Sequence, residues 1–116
     1  MMSAPAIDSA TFEALKETTG ADFVLELVDT FLQEAPPMLN ELRNALAAKD
    51  ADKFRRTAHS LKSNSNTFGA LTLGAMAREL ELGGMATVIE RSGQPLDALA
   101  EEYSRVAAAL TELCRE

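Results

Sequence analysis

The sequence predicts an all-α protein, an up-and-down four-helix bundle with a short extra N-terminal helix. The first observation behind this prediction is composition, because 20 Ala and 16 Leu stand against 6 Val and Ile together. Ala and Leu lose little side-chain entropy in a helix, whereas a sheet would need many more β-branched residues. The second observation is that apolar positions recur at steps of three and four. The length of 116 residues suits one domain, so we expect residues 1–116 to form a single bundle.

The first two predicted helices lie before residue 50. Asp8-Ser9 offers an N-cap to a short amphipathic stretch that carries Phe12 and ends near Gly20. From residue 21 to residue 49 there is no glycine, but Pro36-Pro37 interrupts the segment. The proline pair predicts either a kinked helix or two helices that meet there. The apolar stripe of this segment consists of Val24, Leu27, Val28, Phe31, Ala35, Leu39, Leu42 and Leu46.

The next two predicted helices are separated by a break at Gly69. Asp50 or Asp52 can cap the helix before the break, and Gly83-Gly84 ends the helix after it. The apolar positions are Phe54, Ala58, Leu61 and Phe68 in the first of these helices and Leu73, Met76, Ala77 and Leu80 in the second. We expect residues 85–95 to form a loop whose Val88-Ile89 pair enters the core.

The last predicted helix starts around Pro95, since proline suits the first turn of a helix. Its apolar positions alternate steps of three and four, which is typical of a helix that packs in a bundle. These positions are Leu96, Leu99, Tyr103, Val106, Leu110 and Leu113.

Composition also excludes several functions. A net charge of −7 disfavours binding to nucleic acid. No apolar run reaches the length of a membrane span, and Met1 to Pro5 lack the features of a signal peptide. Cys114 is the single cysteine, which excludes disulfides and cysteine-rich zinc sites. We therefore expect a cytoplasmic monomer without a bound metal or cofactor, and the Met start favours a standalone chain.

The single histidine, His59, is the most informative residue. At 100° per residue it lies about 160° around the helix from Leu61, so it is predicted to face solvent. Its neighbours at three and four residues are Arg55, Arg56, Lys62 and Ser63. An exposed imidazole is largely neutral at pH 7 and is a nucleophile that can attack phosphorus.

Charge around His59 is distributed unevenly along the chain. Residues 53–78 contain five basic and no acidic residues, whereas the rest of the chain contains six basic and eighteen acidic ones. We therefore expect surroundings without acidic groups, in which cations stabilise a phosphoryl group on the ring. Glu79 and Glu81 are interpreted as a solvated helix face and its edge. A lone exposed histidine is most often only a surface residue, so position and charge alone leave the function open.

The segment around His59 resembles the histidine-containing phosphotransfer (HPt) family, the helical phosphoryl carriers of two-component phosphorelays. The family pattern is Ala-His-x-Leu-Lys-Gly, then an apolar residue with Gly-Ala, then a Leu-Glu pair on the following helix. The matching residues here are Ala58-His59-Ser60-Leu61-Lys62-Ser63, Phe68-Gly69-Ala70, Leu73 and Leu80-Glu81, in register and without a gap. The resemblance covers roughly residues 20–82, and the last helix is consistent with it in length and seam.

The resemblance implies that His59 is the phosphoacceptor and that Lys62 stabilises the phosphoryl group. Ser63 stands where the family usually has glycine, and it is small enough to preserve access to the ring. Asn66 stands where a small residue is common and lies two turns from His59 on the same face, so we expect it to affect partner choice. Docking roles for Arg55 and Arg56 follow from helix geometry and not from the family pattern.

The function implied is that of a carrier that takes a phosphoryl group from one receiver domain's aspartyl phosphate and gives it to another receiver's aspartate. The partners implied are receiver domains and a hybrid sensor histidine kinase, with Mg²⁺ held by the receiver. No glycine-rich phosphate loop is present, so ATP-dependent kinase activity is not expected. The alternative is a helical interaction module that docks receivers while His59 stays unmodified. A hydrolase or metal enzyme is excluded because ligands and a second catalytic group are lacking.

Overall fold

The computed structural model describes residues 6–115, with the side chain of Arg115 excepted, as five helices. These are α1 (Ser9–Thr19), α2 (Ala21–Ala48), α3 (Ala51–Thr67), α4 (Leu71–Glu90) and α5 (Gln94–Arg115). Helices α2 to α5 pack as neighbours around one core, and α1 lies against α2 and α3. The predicted four-helix bundle with a short extra N-terminal helix is therefore confirmed. The expectations for Met1 to Pro5 lie outside the described residues.

Two aspartates cap helices as the sequence predicts. Asp8 Oδ2 accepts a hydrogen bond from the backbone nitrogen of Thr11 at 3.1 Å, and Asp50 Oδ1 accepts one from that of Lys53 at 3.1 Å. The Thr11 contacts also lower the pKa of Asp8, the hydrogen bond from the threonine hydroxyl most of all. Asp50, and not Asp52, is the cap of α3. Each cap satisfies a backbone donor that the first helical turn leaves unpaired.

The turn between α3 and α4 depends on Gly69. Its φ of +86° lies in the left-handed region, and a β-carbon there would come within 2.8 Å of the Asp8 carbonyl oxygen. The Gly69 carbonyl accepts a hydrogen bond from the Asp8 backbone nitrogen at 2.7 Å. The predicted break is therefore confirmed, and it also anchors the start of α1 to the bundle.

Helix α2 runs unbroken through Pro36 and Pro37, so the alternative of two separate helices was wrong. Proline at position 36 cannot donate to the carbonyl of Leu32, four residues earlier. The Tyr103 hydroxyl of α5 lies 3.4 Å from that oxygen and donates to it. The apolar stripe explains why the helix persists, because Phe31, Ala35 and other stripe residues are buried in the core on both sides of the prolines.

The predicted loop over residues 85–95 was wrong over most of its length. Gly84 has non-helical angles of φ +67° and ψ −165°, but the helix resumes and continues to Glu90. A glycine adopts these angles without the strain of a β-carbon, and resumption of the helix buries Val88 completely while Ile89 stays 66% exposed. Only residues 91–93 separate α4 from α5. The seam predicted for the last helix is confirmed.

Candidate functional site

His59 lies in the middle of α3 with its side chain 55% exposed. Leu61, two residues further on, has no exposed surface. The opposite placement of these two side chains is what a helical repeat of 100° per residue predicts, and it confirms the expected exposure of the imidazole. The core residues of α3 thus fix the helix rotation and direct the histidine outward.

Glu81 of α4 reaches across to α3 and contacts both His59 and Lys62. Its Oε2 lies 2.8 Å from His59 Nδ1, and its Oε1 lies 2.8 Å from Lys62 Nζ. The Glu81 side chain is 16% exposed and that of Lys62 is 23% exposed. One carboxylate therefore joins the histidine and the lysine in a partly covered site.

The pKa of Glu81 lies below its ordinary value. Its contact with the Lys62 ammonium is the largest cause, partial burial opposes it by raising the pKa, and the His59 ring lowers it further. The carboxylate is consequently ionised at neutral pH and accepts from both neighbours. In a neutral imidazole, the nitrogen that faces a carboxylate carries the proton. That arrangement leaves the lone pair on Nε2, the nitrogen away from Glu81.

The expectation of surroundings without acidic groups was wrong, and so was the interpretation of Glu81 as a solvated edge. Glu81 is 22 residues from His59 in the chain, and the packing of α4 on α3 brings it to the ring. Glu79 is exposed as expected. The Leu-Glu pair in the family pattern was the sequence feature that could have pointed to Glu81.

Arg55 and Arg56 are exposed and share a second carboxylate, Asp52. Arg55 Nη2 lies 2.8 Å from Asp52 Oδ1, and Arg56 Nε lies 3.0 Å from Asp52 Oδ2. The two arginines border an open hollow of about 350 Å³ that is lined by Arg55, Arg56, His59, Ser60 and Glu81. The structure thus places both arginines beside the imidazole, each in an ion pair that sequence reasoning did not foresee.

Ser63 and Asn66 continue the exposed side of α3 beyond Lys62. Thr67 Oγ1 donates to the Ser63 carbonyl oxygen at 3.0 Å. The Asn66 amide occupies the space that a β-carbon at Gly74 would need, so this side chain packs against α4. Asn66 is therefore exposed but also part of the contact between α3 and α4.

Among residues 6–115, no three His, Cys, Asp or Glu side chains are grouped so that they could hold a metal ion. None of the described helices combines the length and apolar character needed to cross a membrane.

The bundle thus presents one outward imidazole, which a carboxylate contacts at its inner nitrogen and which cations border. The Hpt domain family model matches residues 26–115. A crystal structure of histidine-containing phosphotransfer protein B (HptB) from Pseudomonas aeruginosa PAO1 is similar, with a TM-score of 0.87, 30% identity and 97% of each chain covered. The chain belongs to the Hpt domain family, and its role is histidine phosphotransfer in phosphorelays.

A second relative is the sensor protein TorS of Escherichia coli (strain K12). This chain is 33% identical to it over 93 residues, which are 78% of this chain and 9% of TorS. The chain therefore spans about a tenth of the length of that relative. The family match extends through α5, beyond the part of the chain in which the motif residues lie.

Proposed function

We propose that His59 is the phosphoacceptor of a relay between receiver domains. Its Nε2 lone pair attacks the phosphorus of a receiver's aspartyl phosphate, the nitrogen–phosphorus bond forms, and the phosphorus–oxygen bond to aspartate breaks. The released carboxylate stays on the donor receiver, and the aspartate of a second receiver later takes the phosphoryl group by the reverse chemistry. The observation that carries the proposal is the 2.8 Å contact between Glu81 Oε2 and His59 Nδ1, which directs the outer nitrogen to the partner.

Glu81 acts in this proposal as a positioning residue. The imidazole becomes positively charged as the nitrogen–phosphorus bond forms, and a carboxylate 2.8 Å from Nδ1 stabilises that charge. The Nδ1 proton stays between the ring and Glu81 throughout the transfer. Because the carboxylate holds the ring in one orientation before the partner arrives, less rotational freedom is lost on reaction.

Lys62 is proposed to stabilise the phosphoryl oxygens, and Arg55, Arg56, Ser63 and Asn66 to contact the partner. A lysine that is 23% exposed keeps part of its ammonium accessible to an incoming anion. The two arginines are more exposed and border the same hollow. Cations at these positions attract and orient the phosphorylated, acidic surface of a receiver.

The partners proposed are a hybrid sensor histidine kinase and response-regulator receiver domains. The receiver supplies Mg²⁺ and most of the catalytic groups, and this chain supplies the nucleophile and binds no cofactor of its own. We further propose that the chain is a cytoplasmic monomer and a phosphoryl carrier without ATP-dependent kinase activity.

Intact mass spectrometry tests the proposal directly. The chain is incubated with phosphoramidate and weighed, and one added phosphoryl group that is lost in acid and survives base identifies phosphohistidine. The phosphorylated chain is then mixed with receiver domains. Transfer to a receiver supports the relay. The absence of an adduct from both phosphoramidate and phosphorylated receivers would favour the interaction module with an unmodified His59.

Replacement of Lys62 with Ala is expected to slow phosphoryl transfer by about tenfold. A buried oxyanion donor typically contributes a hundredfold or more, and water screens the partly exposed ammonium here. The pKa of Glu81 should also rise, because Lys62 is the largest cause of its lowering. Quench-flow transfer rates and carboxyl ¹³C titration by NMR measure the two effects. Wild-type transfer rates in this variant would contradict the electrostatic role of Lys62.

Replacement of Glu81 with Ala is expected to leave the His59 ring in a mixture of tautomers and to slow phosphorylation by about tenfold. The Glu81→Gln variant should restore the tautomer but only part of the rate, because an amide oxygen can still accept a hydrogen bond from Nδ1 but carries no charge to stabilise the positive ring. Ring ¹⁵N chemical shifts report the tautomer, and phosphoramidate kinetics report the rate. If Glu81→Ala shows a single Nδ1-protonated tautomer, Glu81 does not position the ring.

A further inference from the structure

Asp52 binds both arginines that border the His59 hollow. Its Oδ1 lies 2.8 Å from Arg55 Nη2, and its Oδ2 lies 3.0 Å from Arg56 Nε. Each carboxylate oxygen therefore faces a different guanidinium group. All three side chains are more than half exposed, so the cluster lies where a docking protein can reach it.

One member of this cluster, Arg56, also borders a second open hollow of about 380 Å³ between α2 and α3. That hollow is lined by Met38, Glu41, Lys53, Arg56, Thr57 and Ser60. Arg56 and Ser60 line both hollows, which makes the two a continuous surface that starts at His59. Lys53 Nζ lies 3.4 Å from Glu41 Oε1. On this surface Lys53, Arg55 and Arg56 are each paired with a carboxylate of the chain itself.

We propose that Asp52 is a specificity-determining residue of the receiver-docking surface, because it holds Arg55 and Arg56 in ion pairs that an acidic partner must replace. This inference rests on the proposed function. At the reacting position a receiver carries either an aspartyl phosphate or the free aspartate carboxylate, so the occupant presents the negative charge that the two arginines attract. A partner with few acidic groups on its facing surface cannot displace Asp52 and docks slowly.

The physics of exposed ion pairs makes this exchange feasible. Such pairs are weak, because water solvates and salt screens both charges. Arg55 and Arg56 can therefore leave Asp52 when a partner offers better-placed acceptors, and a planar guanidinium binds phosphate and carboxylate oxygens in pairs. Until then the Asp52 charge reduces the positive potential beside His59 and with it the rate of association of an acidic partner.

The test uses the full chain, phosphorylated by phosphoramidate, and the receiver domain that accepts fastest among those of the genome that encodes this chain. The Asp52→Asn variant is expected to transfer about two- to fivefold faster at low ionic strength. The advantage should disappear near about 0.5 M salt, where the screening length is only a few ångströms. In an Arg55→Ala/Arg56→Ala background, Asp52→Asn should have no effect, because its two partners are gone.

Asp97→Asn is the matched control. Asp97 also lies in the first turn of its helix, and it pairs with Arg43 at 3.2 Å with a side chain 68% exposed, against 63% for Asp52. Its pair joins α5 to α2 and includes no residue of α3. Like Asp52→Asn, the control removes one negative charge from the first turn of a helix, where such a charge is favourable. Because Asp97 does not pair with Arg55 or Arg56, the transfer rate of the control should equal that of the wild type.

The possible results separate the proposals. Equal rates for Asp52→Asn and Asp97→Asn, or an Asp52→Asn effect that persists without the two arginines, overturn the role of Asp52. A failure of every receiver to accept from the phosphorylated chain also overturns it. A wild-type chain that forms no phosphohistidine at all overturns the proposed function instead.

Discussion

The His59→Gln variant is expected to accept no phosphoryl group from phosphoramidate or from a phosphorylated receiver. Glutamine offers no nucleophilic nitrogen, because the lone pair of an amide nitrogen is delocalised onto its carbonyl. His59 is the single histidine of the chain, so no second imidazole can replace it. The expected effect is complete loss of the acid-labile adduct.

Stability of the His59→Gln variant should be almost unchanged. The imidazole is 55% exposed, and a glutamine amide can still donate to the Glu81 carboxylate. Substitutions at such positions usually change the free energy of unfolding by no more than about 0.5 kcal/mol. Urea denaturation followed by circular dichroism checks this expectation beside the mass measurement.

Ser60→Ala is the matched control for the loss of the adduct. Ser60 follows His59 in α3 and lines the same hollow, but it is not proposed to react. This control should gain one phosphoryl group as the wild type does. An acid-labile adduct in the His59→Gln variant, or the absence of one from the Ser60→Ala variant alone, would contradict His59 as the acceptor.

Much of the fold could be predicted because its causes are local. Helix starts at Asp8 and Asp50 follow from short side chains that pair with backbone nitrogens three residues on. The burial of Leu61 and the exposure of His59 follow from helical periodicity alone. These features depend on residues within one or two turns of each other, which a single sequence displays directly.

The errors in the fold concern residues whose conformation is decided by tertiary packing. The pair Gly83-Gly84 is a strong helix terminator by propensity, but one non-helical residue at Gly84 is enough for the helix to resume and bury Val88. The proline pair in α2 likewise leaves its alternatives open, since a helix can continue through it when packing compensates. The hydroxyl of Tyr103 in α5 donates to the carbonyl oxygen of Leu32, which lies 71 residues away in the chain.

The candidate site shows the same division between local and distant causes. His59 and Lys62 are three residues apart on one helix, so their proximity follows from the sequence. The third member, Glu81, depends on the register between α3 and α4, which composition and periodicity do not give. The distribution of charge along the chain does not reveal Glu81, because it reflects separation in sequence, whereas the carboxylate acts through a contact of 2.8 Å in space.

Replacement of Leu61 with Ala is expected to have the largest effect on stability of the variants considered. Leu61 is fully buried in the hydrophobic core, and truncation of a buried leucine costs about 2–5 kcal/mol through lost transfer energy and the cavity left behind. This is a large part of the roughly 5–15 kcal/mol that separates folded from unfolded domains. The midpoint of urea denaturation should fall with little change in slope.

The control for Leu61→Ala is Leu82→Ala, which removes the same atoms from a side chain that is 69% exposed. Its free energy of unfolding should stay within about 0.5 kcal/mol of the wild type. At a temperature where the Leu61→Ala variant remains folded, His59 should still accept a phosphoryl group, because the two side chains lie on opposite faces of α3. Equal losses of stability in the two leucine variants would contradict the packing described for α3. A folded Leu61→Ala variant that accepts no phosphoryl group would show that the core of α3 fixes the reactive geometry of His59 as well as the stability of the bundle.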